Sequence, residues 1–150
     1  MTFYNFLLLI HVFSAILGMG PGFVMIYIVT KAKTMTELKH AYLIRNRLHH
    51  FVMVGGTLLL LSGLTMGAIR PYLFHMGWYV TSLVLFVIAL GFGPVMLSPR
   101  SKPVKALLKS HADYTIPGTY YVMASQLFFY ERIENTIFLI IIVLMILKPF

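Results

Sequence analysis

The chain has 150 residues, of which 59% are hydrophobic and 11% charged, with twelve basic and four acidic side chains and a net charge of +8. A soluble chain of this length leaves roughly a third of its unfolded surface in contact with water, which so few charged residues cannot cover. The composition therefore indicates a membrane protein and excludes a disordered chain. Because there is no cysteine, it also excludes a disulfide-stapled module and a thiolate metal or redox site.

The first predicted element is a long apolar helix at the N-terminus. Residues 2–30 contain no Asp, Glu, Lys or Arg, and about 20 residues in helical form are enough to cross the hydrocarbon core of a bilayer. No basic residue precedes the apolar run and no small-residue cleavage site follows it. We therefore expect this segment to be retained as a first span, residues 3–30, rather than cleaved as a signal peptide.

Two further uncharged stretches predict the second and third spans, at residues 51–69 and 78–97. The third span is expected to begin near Trp78, because tryptophan favours the membrane interface. Ahead of the second span, Thr34 and Glu37 have the spacing of a helix-capping box. The second helix is therefore expected to begin near residue 35, in the cytoplasm, and to continue into the membrane.

Proline residues are expected to interrupt the chain after the third span. Pro99 and Pro103 are predicted to end the third helix, because proline lacks the backbone N–H that a helix interior requires. A short amphipathic turn is predicted over residues 104–109, followed by a second break at residues 116–118. The residues that follow this break are expected to enter the fourth helix.

The fourth span is the least apolar. The uncharged run of residues 135–147 is too short to cross a bilayer, so the predicted span covers residues 128–147. It accepts three charged residues near one end, Glu131, Arg132 and Glu134. The apolar runs are continuous rather than alternating, and only helices then satisfy the backbone in lipid. The predicted fold is an all-α, integral-membrane four-helix bundle that forms a single domain.

The basic residues predict the orientation of this bundle. Nine of them lie in the two loops that follow the first and third spans, and two lie in segments on the opposite side. By the positive-inside rule, both termini lie outside and both basic loops lie in the cytoplasm. Topology and attraction to anionic membrane lipid account for the net charge, so no nucleic-acid partner is expected. We expect a multi-pass protein of the plasma membrane.

The first helix contains one histidine, His11, within its apolar run. Placing such a residue inside a membrane costs free energy, so its presence there marks a candidate functional site. Ser14, Gly18 and Gly22 follow His11 at spacings of three, four and four residues, so the four share one face of the helix. A face with so little side-chain volume can admit a flat macrocycle or simply another helix.

The second helix carries a similar stripe. His49 shares a face with three glycines, Gly56, Gly63 and Gly67. If Ile69 marks the outer boundary, His49 lies about 30 Å below it, at the inner interface. His11 and His49 therefore cannot be the two axial ligands of one haem. A haem on His11 would need Met66, another residue, water or a second subunit opposite.

A second polar cluster is predicted near the cytoplasmic side. Counting back from Lys148, Glu134 and Glu131 lie about 21 Å and about 25 Å from the outer face. These depths approach those of His49, His50 and Arg47. We therefore expect Glu131, Glu134 and Asn135 to meet the two histidines in a proton or cation site. The alternative is that the two glutamates belong to the solvated head of the last helix, because charges near the end of a span can reach water.

The segment Leu8-Leu-Ile-His11, followed by Ser14-Ala-Ile-Leu-Gly18, resembles a family of small four-span predicted integral membrane proteins of unknown function, over nearly the whole chain. The chain is also loosely similar to the four-helix membrane proteins related to the copper-resistance D protein and to HemJ-type protoporphyrinogen oxidase. That resemblance implies a b-type haem bound by His11. The HemJ-type pattern has a tryptophan near the first-helix glycine and a lysine in a later span. This chain has Met19 and Gly20 there and no lysine in spans two or three, which does not favour protoporphyrinogen oxidation.

Three functions remain open, and no catalytic residue is assigned. The first is a haem-binding membrane protein in electron transfer or haem handling, with His11 as axial ligand and Ser14, Gly18 and Gly22 beside the cofactor. The second is a non-catalytic accessory or scaffold subunit whose glycine stripes contact a partner subunit or a second copy of the chain. The third is a proton- or cation-coupled transport element built on the cytoplasmic polar cluster.

Overall fold

The structure is a computed structural model that describes residues 2–150. Within this range all regular secondary structure is helical, in five helices: α1 (Phe3–Thr30), α2 (Met35–Ile69), α3 (Gly77–Phe92), α4 (Ser98–Ser110) and α5 (Gly118–Leu147). A 3-10 turn connects α2 to α3, and a π-helical turn, Gly93–Leu97, connects α3 directly to α4. The predicted all-α membrane bundle is confirmed.

The helix α2 begins at the capping residues that mark it in the sequence. Thr34 Oγ1 accepts a hydrogen bond from the backbone N–H of Glu37 at 3.2 Å, and the Glu37 carboxylate accepts one from the backbone N–H of Lys33 at 2.7 Å. These bonds satisfy donors for which the first turn has no helical partner. The helix then runs for 35 residues without a break. At 1.5 Å per residue this is about 52 Å, well beyond a hydrocarbon core of about 30 Å.

The prediction that Pro99 and Pro103 end the third helix is wrong. The chain continues from α3 through the π-helical turn, where the backbone N–H of Ser98 bonds the Gly93 carbonyl, and then through α4 to Ser110. Pro99 lies in the first turn of α4, where a proline removes a donor that the turn does not need. Pro103 is held inside α4.

Three segments of the described chain are long and apolar enough to cross a membrane: Phe3–Thr30, Met35–Ile69 and Gly77–Ser110. The helix α5 also has the necessary length, 30 residues, but it carries the three charges noted above. Large apolar side chains cover the outer surface of the helices, such as Phe13, Val95 and Ile146. Lipid contact requires such an exterior, and the protein is an integral membrane protein.

The ends of the chain lie at one end of the bundle. The Trp78 backbone N–H, at the start of α3, donates to the Phe150 carbonyl at 3.0 Å. The Arg70 guanidinium, at the end of α2, lies 3.7 Å from the centroid of the Tyr4 ring. The two basic loops consequently lie together at the opposite end, as the predicted topology requires.

Buried side chains form clusters at three levels of the bundle. At the end that holds the termini the cluster contains Leu7, Met66, Leu73 and Tyr79. In the middle it contains Met19, Leu59, Phe86, Ala89, Phe138 and Ile141. At the basic end it contains Val29, Met35, Leu38, Ala41, Tyr42, Val104, Leu108, Tyr120 and Ala124. The helices therefore continue to pack against one another beyond their most apolar stretches.

Candidate functional site

His11 lies at the contact between α1 and α2. Its Nδ1 atom is 2.8 Å from Ser62 Oγ, and its Cε1 atom lies 3.2 Å from the position that a Cβ on Gly63 would take. The Ser62 oxygen also lies 3.1 Å from the Leu59 carbonyl oxygen, to which its hydroxyl can donate. The imidazole is thereby held against α2 by a hydrogen bond and by the missing side chain of Gly63.

Two glycines bring α1 and α2 into backbone contact. A Cβ added to Gly18 would lie 2.7 Å from the amide nitrogen of Gly56, and a Cβ added to Gly55 would lie 2.6 Å from the Cα atom of Gly18. Side-chain carbon atoms do not fit at these distances, so only glycine permits this approach. The face of α1 that the sequence predicts to admit a macrocycle or another helix packs against α2 at this level.

Ser14 and Gly22, on the same face of α1, are also covered from inside the protein. Ser14 Oγ donates to the Ile10 carbonyl at 2.7 Å, and the Gly22 carbonyl accepts a bond from the side-chain amide of Asn135 in α5 at 3.1 Å. Gly18 and Gly22 thus form helix contacts, whereas Ser14 lines an apolar groove of about 340 Å³ between α1 and Leu58 of α2. Haem binding by His11 stays a prediction that this packing does not favour.

The glycine stripe of α2 likewise faces other parts of the same chain. Gly63 lies against His11, and Gly67 lies against the rings of Phe74 and Tyr79. The Tyr79 hydroxyl, from α3, donates to the Gly63 carbonyl at 2.8 Å. The stripes that the sequence offers as partner interfaces are therefore used within the bundle, and contact with a partner subunit or a second copy would need a different surface.

The second predicted site centres on a buried ion pair between α2 and α5. Glu131 is 5% exposed and Arg45 is 8% exposed. The guanidinium of Arg45 pairs with the Glu131 carboxylate, with Nη1 donating to Oε2 at 3.1 Å. The reading of Glu131 as part of a solvated helix head is therefore wrong. An ion pair at this depth joins the two helices at the basic end of the bundle.

Glu134 lies one turn further along the same face of α5 and is partly buried. The charge of Arg45 acts on its carboxylate. Within residues 2–150, however, no hydrogen bond or ion pair within 4 Å joins Glu134 to another side chain. One guanidinium therefore stands beside two carboxylates, which leaves one excess negative charge at the site.

The structure does not bring His49 and His50 to these carboxylates. Both imidazoles are exposed, and among the described residues neither forms a hydrogen bond or an ion pair with Glu131 or Glu134. The predicted cluster is thus built from Arg45 and the two glutamates, without the histidines.

Reasoning from the sequence misses Arg45. The charge pattern places this residue among the nine basic residues of the two loops and gives it no role in a site. The spacing of Arg45 along α2 nevertheless indicates that it is buried. Leu38, Tyr42 and Arg45 are separated by four and three residues, and all three are buried in α2. An arginine on a buried stripe indicates a carboxylate partner, since a charge is rarely buried unless it is paired.

A tyrosine pair lies next to the ion pair, toward the basic loops. The hydroxyl groups of Tyr42 and Tyr120 are 3.3 Å apart, and the two rings meet edge to face with centroids 6.3 Å apart. Tyr120 lies outside the membrane-spanning part of α5, and burial raises the pKa of its hydroxyl. The hydroxyl is therefore neutral at physiological pH, and the charge of the site comes from Arg45 and the two glutamates.

An apolar layer separates the two candidate sites. It is the middle cluster of the bundle, which includes Leu59 and Phe138. Ser62, the partner of His11, lies about one turn from Leu59 toward the end that holds the termini. Glu134 lies about one turn from Phe138 toward the basic end. His11 and the carboxylate site therefore occupy different levels, as their sequence positions indicate, with buried apolar side chains between them.

Comparison with known proteins agrees with the fold and the apolar surface. The family model described as "Predicted integral membrane protein (DUF2269)" matches residues 5–149. No curated protein and no solved structure matches the chain. The looser similarity to HemJ-type and copper-resistance D proteins stays a prediction. Because the match covers nearly the entire sequence, the chain belongs to the DUF2269 family of predicted integral membrane proteins.

Proposed function

We propose that this protein binds a proton at Glu134, in a site open to the cytoplasm, and that it acts as the proton-binding element of a coupled membrane process. The charge balance of the site supports the proposal. Arg45 is bonded to Glu131, whereas Glu134 has no ion-pair partner of its own among the described residues. An unpaired carboxylate in a poorly solvated position is costly, and uptake of a proton removes its charge.

A proton suits this site better than a metal cation. A dehydrated cation such as Ca²⁺ requires six or more oxygen ligands, whereas a proton requires one oxygen of the Glu134 carboxylate. The neighbouring amide of Asn135 already donates to the Gly22 carbonyl, which keeps it as part of the helix contact.

Proton binding at Glu134 has a structural consequence at the contact of α2 with α5. While Glu134 is charged, its carboxylate competes with Glu131 for the guanidinium of Arg45. Once Glu134 is neutral, Arg45 interacts with Glu131 alone, and the ion pair between the helices is stronger. Protonation is therefore coupled to the packing of the basic end of the bundle. The apolar layer above Glu134 favours exchange of the proton with the cytoplasm.

Chemical labelling with dicyclohexylcarbodiimide tests this proposal. The reagent enters membranes and adds to protonated carboxylic acids, and mass spectrometry locates the product. We expect modification of Glu134 that decreases as the pH rises, with much less modification of the ion-paired Glu131. Glu37 is exposed to water, and its labelling serves as the matched control. Labelling of Glu131 and Glu134 to the same extent, or of neither at any pH, would contradict the proposal.

Haem binding at His11 is tested separately. The hydrogen bond between His11 Nδ1 and Ser62 leaves Nε2 as the atom available to a metal, although Gly18 is covered by α2 and Gly22 contacts Asn135 of α5. An absorption spectrum of the purified protein decides the matter. A Soret band that is lost in His11→Ala supports haem binding, and a spectrum without that band leaves His11 as a packing residue.

A further inference from the structure

A groove lies between α4 and α5 on the surface of the basic end of the bundle. Its volume is about 420 Å³, and it is lined by Arg100, Ser125, Gln126, Phe129 and Tyr130. Neither Glu134 nor His11 lines the groove, although Tyr130 lies about one turn from Glu134 on α5. It combines one cation, two polar side chains and two aromatic rings.

Arg100 is held in place without being neutralised. Its guanidinium lies 3.9 Å from the centroid of the Tyr130 ring, and Nη1 donates to the Met96 carbonyl at 2.9 Å. No carboxylate lies within 4 Å of it among the described residues, in contrast to Arg45. The Nε and Nη2 donors therefore remain available, and an arginine fork matches the geometry of phosphate oxygens.

The other side chains of the groove add complementary groups. Ser125 donates its hydroxyl hydrogen to the Val122 carbonyl at 2.8 Å, so its oxygen is left as an acceptor. Gln126 is exposed and carries amide donors. Phe129 is 58% exposed, and an aromatic ring at this position suits the boundary between head groups and acyl chains.

Helix length places the groove at the inner membrane surface. Arg100 lies about 35 Å along the helical path from Gly77, and Gln126 lies about 32 Å from Leu147, whereas the hydrocarbon core is about 30 Å thick. Both residues therefore reach the level of the inner head groups when the opposite ends of α3 and α5 lie at the outer surface. Phe129 lies about one turn closer to the hydrocarbon than Gln126.

We propose that the groove between α4 and α5 binds the phosphate of an anionic phospholipid of the inner leaflet. Arg100 contacts the phosphate, Gln126 donates a further hydrogen bond, and Phe129 contacts the upper acyl chain. The Ser125 oxygen accepts a hydrogen bond from a head-group hydroxyl such as that of phosphatidylglycerol. The positive charge that the basic loops concentrate at this end attracts the same class of lipid.

Native mass spectrometry with phosphatidylglycerol and phosphatidylcholine as probes tests this site. The detergent-purified protein is titrated with each lipid, and bound lipid is counted. We expect the wild type to prefer phosphatidylglycerol, and Arg100→Gln to weaken phosphatidylglycerol binding about fivefold or more, the effect of one basic residue near a membrane surface. Lys102→Gln is the control, because it removes the same charge from an exposed position on the same helix and should change binding less than twofold.

Three results would overturn the proposal. Equal losses in Arg100→Gln and Lys102→Gln would show diffuse attraction rather than a site. No preference for phosphatidylglycerol in the wild type would exclude an anionic lipid. Displacement of the lipid by inorganic phosphate at millimolar concentration would identify a site for free phosphate. If Arg100→Gln does not fold, Gln126→Ala supplies the test, with an expected loss of about threefold, and no loss in that variant would overturn the proposal.

Discussion

Gly55→Ala is expected to destabilise the bundle by about 3 kcal/mol. The added methyl group would meet the backbone of Gly18, with its Cα atom only 2.6 Å away. Because the obstacle is a backbone and not the end of a flexible side chain, α1 and α2 must move apart along their whole contact. That movement would also lengthen the bond between His11 and Ser62. Equilibrium unfolding in mixed micelles measures the loss.

Gly20→Ala is the matched control for this contact. Gly20 lies on α1 two residues from Gly18, and an added Cβ there would meet nothing within 4 Å. We expect no loss of stability in this variant, and a small gain is possible because alanine favours a helix. Equal stabilities of Gly55→Ala and Gly20→Ala would show that the two helices do not approach through their glycines.

Arg45→Met is expected to cost about 3–5 kcal/mol, because it leaves the buried Glu131 without its counter-charge. Glu131→Gln should cost less. In that variant the second carboxylate, Glu134, is one turn away on the same face and takes over the interaction with Arg45. The asymmetry follows from one guanidinium beside two carboxylates, and a simple one-to-one ion pair would not produce it.

Measuring the free energy of unfolding of the two variants and their double mutant tests this asymmetry. Arg47→Met serves as control, because Arg47 is exposed and two residues away on α2, and its replacement should have little effect. If Glu131→Gln proves as costly as Arg45→Met, Glu134 does not interact with Arg45 as described. If both variants lose no more stability than Arg47→Met, the ion pair contributes nothing to the free energy of unfolding.

The helices themselves could be predicted because lipid imposes one simple requirement. Every backbone group must find its partner within the segment, so a long uncharged run such as residues 2–30 specifies a helix without further detail. The start of α2 could be predicted as well, since Thr34 and Glu37 supply the bonds of its first turn. The continuation of the helix past Pro99 could not, because it depends on a π-helical turn beginning at Gly93 that no residue type demands.

The candidate sites show what helical spacing can and cannot establish. The spacing of His11, Ser14 and Gly18 predicts that they share a face, but a face of small residues accepts a helix and a macrocycle equally well. Only the structure shows that Gly55 covers Gly18. Counting residues along the last helix likewise places Glu131 at the level of the basic end of α2. It does not select Arg45 over His49, because that choice depends on the rotation of one helix against another.

In the function that we propose, Glu134 takes up a proton beside the Arg45–Glu131 ion pair. Infrared difference spectroscopy in lipid nanodiscs tests it directly, because the chain has only four acidic side chains. We predict a C=O stretching band of a neutral carboxylic acid, present at a pH where the exposed Glu37 is ionised and retained in Glu37→Gln but absent from Glu134→Gln. A band that persists in Glu134→Gln, or no such band in the wild type, would contradict the claim.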